Sequence, residues 1–396
     1  MSMMLLAIAA NVVWLEYGGD PRHTGVQSLR GGMSDSPVEL WSVPGNFMVM
    51  GAVAGDVDGD DTVEVIASNN DSQLVWVNGA TGAVEHVNFL ADHALIGGVL
   101  IADVDPSSPG LEVAATSGWG SSYIYLYDSS ASELWRSELF GTDASAMHSA
   151  DMDGDGRPEL VFANKNYLYA YNDDGSVLWS QANCCRPSVP ALADLDGDGH
   201  LEVVIHQWDV RSMGHTRVFD ALSGALEWEA SKAETLLLGW AAGPHPTVAD
   251  VDGDGEMEVI DSYADTLNPL TVCYDGVGNE EWSVPVGSFA SPSVADLDGD
   301  GNVEVVIVGG LKRPHMDTVF VYSIQGGSPN LLWAQTGFDE IWRKALLWDA
   351  DGDGDLDVLV ATWSGYLVAF DGPTGQVLWL SLIHISEPTR PRLISY

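Results

Sequence analysis

The stretch DLDGDGNVEVVIVGG, residues 296–310, sets aspartates on alternate positions among glycines, then a glutamate, then a run of β-branched residues. Like charges crowded into one turn repel, and a charge held against apolar strands is costly unless it is paired. A bound cation removes that cost. Calcium suits the pattern, because it takes about six to eight oxygen ligands in flexible geometry, whereas magnesium keeps more of its water. The glycines permit the bend. The expected side-chain ligands are Asp296, Asp298, Asp300 and Glu304, with the carbonyl of Asn302 between them.

A single loop of this kind also fits a charged surface turn, but the pattern returns. Asp56, Asp58, Asp60 and Glu64 form a first copy; Asp151, Asp153, Asp155 and Glu159 a second; Asp194, Asp196, Asp198 and Glu202 a third. Asp250, Asp252, Asp254 and Glu258 follow, and after the quoted loop come Asp349, Asp351, Asp353 and Asp357. A further copy, DVDPSSPGLE from Asp103, carries an extra residue and has Ser107 where the third aspartate belongs, so a weak or empty site is expected there. About six calcium ions are therefore expected.

The first aspartates recur at a mean spacing of about 49 residues, a period that means a solenoid, a propeller or an array. Within each unit an apolar segment precedes the loop and a β-rich run follows it. An alternating strand such as TVFVYSI comes next, then a Gly or Asp turn, then a short strand bearing Trp, such as ELWRS, VLWS, EEWSV or LLWAQ. Four short strands per unit without helical periodicity predict an all-β fold, a β-propeller of seven four-stranded repeats. A closed ring also disposes of unpaired strand edges.

The units resemble FG-GAP or VCBS repeats, the calcium-bearing blades of integrin alpha chain propellers and of many microbial secreted proteins; the resemblance covers about residues 37–379. The segment WLEYGGDPRHTGVQ from Trp14, and turns such as FDGPTGQVLW, resemble the PQQ-like propeller repeats more weakly. This resemblance implies a secreted or cell-surface binding or adhesion module for a protein or glycan. The alternative is an extracellular enzyme on the same scaffold, either a polysaccharide lyase or a quinone-dependent dehydrogenase. Adjacent Cys184 and Cys185 fall where quinoprotein dehydrogenases carry a vicinal disulfide, but no coherent set of quinone or catalytic-base ligands accompanies them, and a buried dithiol is the plainer reading.

The ends read differently from the middle. Residues 1–13 have the apolar core and small residues of a signal peptide, without a preceding Lys or Arg, and a start inside a longer gene is the other reading. Residues 14–36 form a lead-in. Residues 380–396 break the repeat abruptly and resemble sequencing-adapter read-through, so they are set aside. VELWSVP, at 38–44, reads as the Trp-bearing fourth strand of a blade, yet the seventh repeat already owns one at 377–380. The early strand is surplus in a seven-bladed ring and has a place if a native ring has eight.

The chain carries 58 acidic against 15 basic residues, a formal net charge of −43, which argues against nucleic acid and anionic membrane surfaces as partners. No apolar run reaches the roughly 20 residues of a membrane-spanning helix, and three cysteines in this length exclude a disulfide-built scaffold. Eight bases, Lys165, Arg186, Arg211, Lys232, Lys312, Arg313, Arg343 and Lys344, fall in the segments expected opposite the calcium loops. They suggest a recognition face for a ligand such as an acidic polysaccharide, with Arg211, Lys312, Arg313, Arg343 and Lys344 as its candidates. The plainer alternative is that bases are only kept away from the ions.

Overall fold

The computed structural model describes residues 20–27, 40–44, 47–69, 71–90, 98–117, 122–141, 144–182, 188–208, 213–233, 245–265, 268–309, 317–338 and 340–382. Its strands form seven four-stranded antiparallel sheets, each a meander of consecutive strands, the blades of a β-propeller. Blade one runs from Phe47 to Phe89, two from Val99 to Leu139, three from Met147 to Ala182 and four from Ala191 to Ala233. Blade five runs from Thr247 to Val284, six from Ser293 to Thr336 and seven from Leu346 to Leu382. The last strand of blade seven thus continues into the segment set aside above, with Leu382 paired to Tyr366.

Blade six shows how sequence becomes strand. Its second strand, Glu304–Gly309, is buried at every position because neighbouring blades cover both faces, so it reads as an unbroken apolar run rather than an alternation. Its fourth strand, Pro329–Thr336, is mostly exposed, with Trp333 turned inward. In every blade the register between third and fourth strands shifts once, near the end of the third. A bulge at that place adds local twist, which suits a blade whose outer edge is rotated against its inner one.

Six apolar clusters lie between successive blades, one for each junction from one–two to six–seven. Indoles fasten four of these junctions. Trp135, Trp179, Trp228 and Trp333, each on the fourth strand of its blade, donate Nε1–H to a turn carbonyl of the next blade, at Asp173, Ala221, Gly276 and Gly372, over 2.7–2.9 Å. A glycine of the same turn lies flat on each ring: a Cβ on Gly375 would fall 2.5 Å from Trp333, and its φ of +68° also favours glycine. At the first junction Asn88 takes the indole's part, donating Nδ2–H to Ala131 O over 2.7 Å.

Residues 20–27 cross the inner strands like a spoke. Pro21 O, Arg22 O and Thr24 O accept from Leu192, Val248 and Val294 on blades four, five and six, and Gln27 bonds Leu347 O on blade seven. Residues 20–27 are therefore part of the ring's interior, tied to consecutive blades through their backbone.

Candidate metal loops and the two faces

Each acidic loop joins the first and second strands of its blade, and the ladder fixes its last carboxylate. Glu304 begins the second strand opposite Ala295, and Glu64, Glu159, Glu202, Glu258 and Asp357 occupy the same register position in their blades. These groups are 1–5 % exposed and lie at the floor of the loop. Each accepts one backbone N–H from the residue after the first aspartate, over 2.6–2.9 Å. In the quoted loop Asp296 accepts from Gly299 N at 2.8 Å and Gly301 N at 3.0 Å, and Asp300 from Asn302 N at 2.7 Å. The turn is thus wound around its own carboxylates. In blade one Asp61 stands where the other intact loops have glycine and takes φ +67°, a left-handed conformation that Asp tolerates better than most residues.

The arrangement collects oxygens. Asp56, Asp58 and Glu64 place one oxygen each within 4.8 Å of the others, as do Asp151, Asp153 and Glu159, and Asp194, Asp196 and Glu202. Asp250, Asp252 and Asp254, and Asp296, Asp298 and Asp300, do the same with three aspartates. Such all-oxygen sets fit a hard divalent cation. Without one, the floor carboxylates resist ionisation. Burial, then the neighbouring acidic side chains, pushes Glu64, Glu202 and Asp357 up to about 7 and Glu258 to about 8. In blade two Ser107 donates its hydroxyl to Asp105 over 2.5 Å and Glu112 stays buried, so the degenerate loop keeps its shape with the third aspartate missing around the floor.

Replacing the floor acid should separate loop shape from metal binding. Glu258→Gln keeps the acceptor for Val251 N and removes a buried charge. The ion-free variant is expected to be more stable than the parent at pH 8.5, above the raised pKa of Glu258, while metal analysis finds one ion fewer.

An antiparallel meander puts the first–second and third–fourth turns at one end of the blade and the remaining connections at the other. Opposite the acidic loops, Phe289, Trp342 and Trp363 come together from the five–six connection, the six–seven connection and the second–third turn of blade seven. Phe289 and Trp342 stack with centroids 5.9 Å apart at 13°, and Trp363 sits 6.4 Å from Trp342 at 56°. Trp363 is 72 % exposed. Glu340 fixes the group, accepting from Trp342 Nε1 over 2.9 Å and, through its carbonyl, from Trp363 N over 2.7 Å. Sequence reasoning missed this step, because its rings are spread over 75 residues; the segment that holds Trp342 entered only through its bases Arg343 and Lys344.

Of the ligand-face candidates, Arg343 is half-buried, and Arg211, Lys312 and Arg313 lie outside the described residues, as do Arg186, Cys184 and Cys185. Lys344 is turned inward. Its ammonium donates to His23 O, and burial lowers it to about 7. It belongs to a buried polar group at the centre of the ring, where His23 Nε2 meets His148 Nε2 at 2.7 Å and His23 Nδ1 donates to Pro246 O. His206 Nδ1 donates to Asp261 over 2.7 Å, and His245 Nδ1 accepts from Val189 N, which leaves the proton of the neutral ring on Nε2. Burial holds His245 down to about 3. Lys232 is engaged between blades four and five, 2.6 Å from Glu280.

The sequence profile of the FG-GAP-like repeat matches residues 151–205 and 194–260. No curated protein matches the sequence. Solved structures share the fold at low identity. The Vibrio cholerae biofilm matrix protein Bap1 aligns at TM-score 0.58 and 14 % identity, over 83 % of this chain and 75 % of its own. Quinohemoprotein alcohol dehydrogenase from Comamonas testosteroni aligns at 0.62 and 13 %, over 94 % and 73 %. BamB from Moraxella catarrhalis aligns at 0.52 and 16 %, over 85 % and 91 %. The chain carries FG-GAP-like repeats on a propeller that PQQ-type proteins also adopt.

Proposed function

We propose that this propeller of FG-GAP-like repeats is a secreted or cell-surface binding module, its loops loaded with calcium for stability and its opposite face engaging a glycan. The observation that carries the ligand class is the Phe289–Trp342–Trp363 step. An exposed indole beside a fixed one offers flat apolar faces to the C–H faces of sugar rings, while Glu340 and Arg343 border the step with hydrogen-bonding groups. Burying such a ring gains roughly 25 cal/mol for each Å² of apolar surface. Calcium is the cation favoured by the all-oxygen loops, and it is plentiful outside cells. The fold shared with a biofilm matrix protein agrees with an extracellular role. Among the described residues no helix is long and apolar enough to cross a membrane.

A glycan array tests this reading. Wild-type protein in calcium is expected to retain a defined set of glycans, and Trp363→Ala to lose at least about tenfold in affinity with calcium content unchanged. Arg343→Ala then sorts the ligand by charge: a loss confined to uronates points to an acidic polysaccharide. Equal binding by wild type and Trp363→Ala overturns the aromatic site, and a protein that retains no glycan overturns the ligand class.

A further inference from the structure

The register shift between third and fourth strands leaves one residue of each fourth strand without a partner, next to the third–fourth turn. It is a glutamate in blades one, four and five, at Glu85, Glu227 and Glu281, and a leucine in the other four. That turn shares an end of the blade with the acidic loop, so the bulged side chain stands beside the loop. In blade seven Leu378 lines one hollow with Asp351 and Asp353. Leu134 and Leu332 are 41 % and 42 % exposed at this position. The site is open to solvent, and nothing in the packing demands a charge there.

The glutamates bring their charge to a place already crowded with acid. Asp196, Asp220 and Asp198 are the charges that act on Glu227, and Asp252, Asp275 and Asp254 those that act most on Glu281. At the floor of the loop, Glu202 and Glu258 are acted on by Glu227 and Glu281 ahead of any loop aspartate, and Glu64 by Glu85 next after Asp58. The floor acids of blades three, six and seven are acted on mainly by the aspartates of their own loops. Other glutamates on the same fourth strands meet bases: Glu229 lies 2.8 Å from Arg217 and Glu280 2.6 Å from Lys232. The bulged ones meet neutral donors instead, Glu85 the amide of Asn78 at 3.0 Å and Glu281 the thiol of Cys273 at 3.7 Å. A carboxylate set beside its loop's four acids is repelled unless a cation lies among them.

We infer that Glu85, Glu227 and Glu281 set calcium affinity: each adds a fifth carboxylate charge to the loop of its own blade, which then holds its ion at lower free calcium than it would with leucine at the bulge. The inference rests on the calcium reading of the loops. Charge count is one of the properties by which oxygen-ligand loops tune their affinity. One further charge about 6 Å from a divalent ion in water is worth about tenfold in Kd at low ionic strength.

Calcium titration of the full chain against a competing chelator, with metal analysis at saturation, tests this. Glu227→Gln and Glu281→Gln are each expected to weaken one ion about tenfold and to leave the number of ions unchanged. Each should also raise the Tm of the ion-free protein, because the charge that attracts calcium repels the empty loop. The reverse exchange, Leu332→Glu, should tighten one ion about tenfold and lower the ion-free Tm. Wild-type affinities in all three variants, with calcium still bound, overturn the inference and leave the calcium reading standing. A lower ion-free Tm at unchanged Kd in the Gln variants assigns these glutamates to strand structure and overturns it too. A wild-type chain that takes up no calcium overturns the calcium reading, and this inference with it.

Discussion

Calcium added to the ion-free protein is expected to raise its melting temperature by more than about 20 °C. An ion that binds only the folded state stabilises by about 4 kcal/mol at a thousandfold excess over its Kd. At roughly 2.1 cal/mol/K per residue one kcal/mol moves Tm by about 1.2 °C in a chain of this size, so five loaded loops suffice. The rise should depend on pH in a defined direction. A carboxylate whose folded pKa is raised makes the ion-free fold bind more protons than the unfolded chain between its ordinary and its raised value. The ion-free protein therefore gains stability from Glu64, Glu202, Glu258 and Asp357 as pH falls through about 8 and 7 towards 4.5. Calcium must displace those same protons. The calcium-induced rise is thus expected to be largest near pH 8.5 and to shrink towards pH 5, as read by calorimetry with calcium and with chelator at each pH. A Tm that ignores calcium at pH 8 would remove the ion from the account of this fold.

Trp333→Ala is expected to cost about 3–5 kcal/mol, the range for truncating a large buried aromatic side chain. The indole is 9 % exposed, packs 5.9 Å from Phe370 of the next blade, and donates to Gly372 O. Its loss opens a cavity between blades six and seven and strands the turn beneath it, where Gly375 was shaped to lie flat on the ring. Leu331→Ala on the same strand, 53 % exposed, should change stability by less than about 0.5 kcal/mol. Urea denaturation of the two variants separates docking from strand propensity.

Much of this architecture was legible in sequence because it is local and repeated. A D-x-D-x-D-G loop must turn, a β-branched run after it must be a strand, and an acid closing the loop is carried into the ladder whatever the rest of the chain does. Seven such units name the fold, since one blade cannot bury both of its faces. The tryptophans of the fourth strands were visible too, but not their targets. An indole that ends on the following blade's turn leaves no periodic trace beyond the glycine it meets.

What only the tertiary structure decided are the groups assembled from distant segments. Lys344 looked like a surface cation in a charged loop; the ring turns it inward, against the carbonyl of His23, more than 300 residues earlier in the chain. Phe289, Trp342 and Trp363 are unremarked in sequence and become one platform because three connections of consecutive blades converge at one end. Trp333 and Trp282, each an ordinary fourth-strand tryptophan by pattern, differ in that one donates to a turn carbonyl of the next blade and the other finds no acceptor among the described residues. The sequence by itself determined the repeat, its strands and its acidic loops, because backbone turns and strand burial are set within a few residues. The docking of the indoles, the inward lysine and the aromatic step were decided by which blade lies beside which, a property of the packed blades and not of any single repeat.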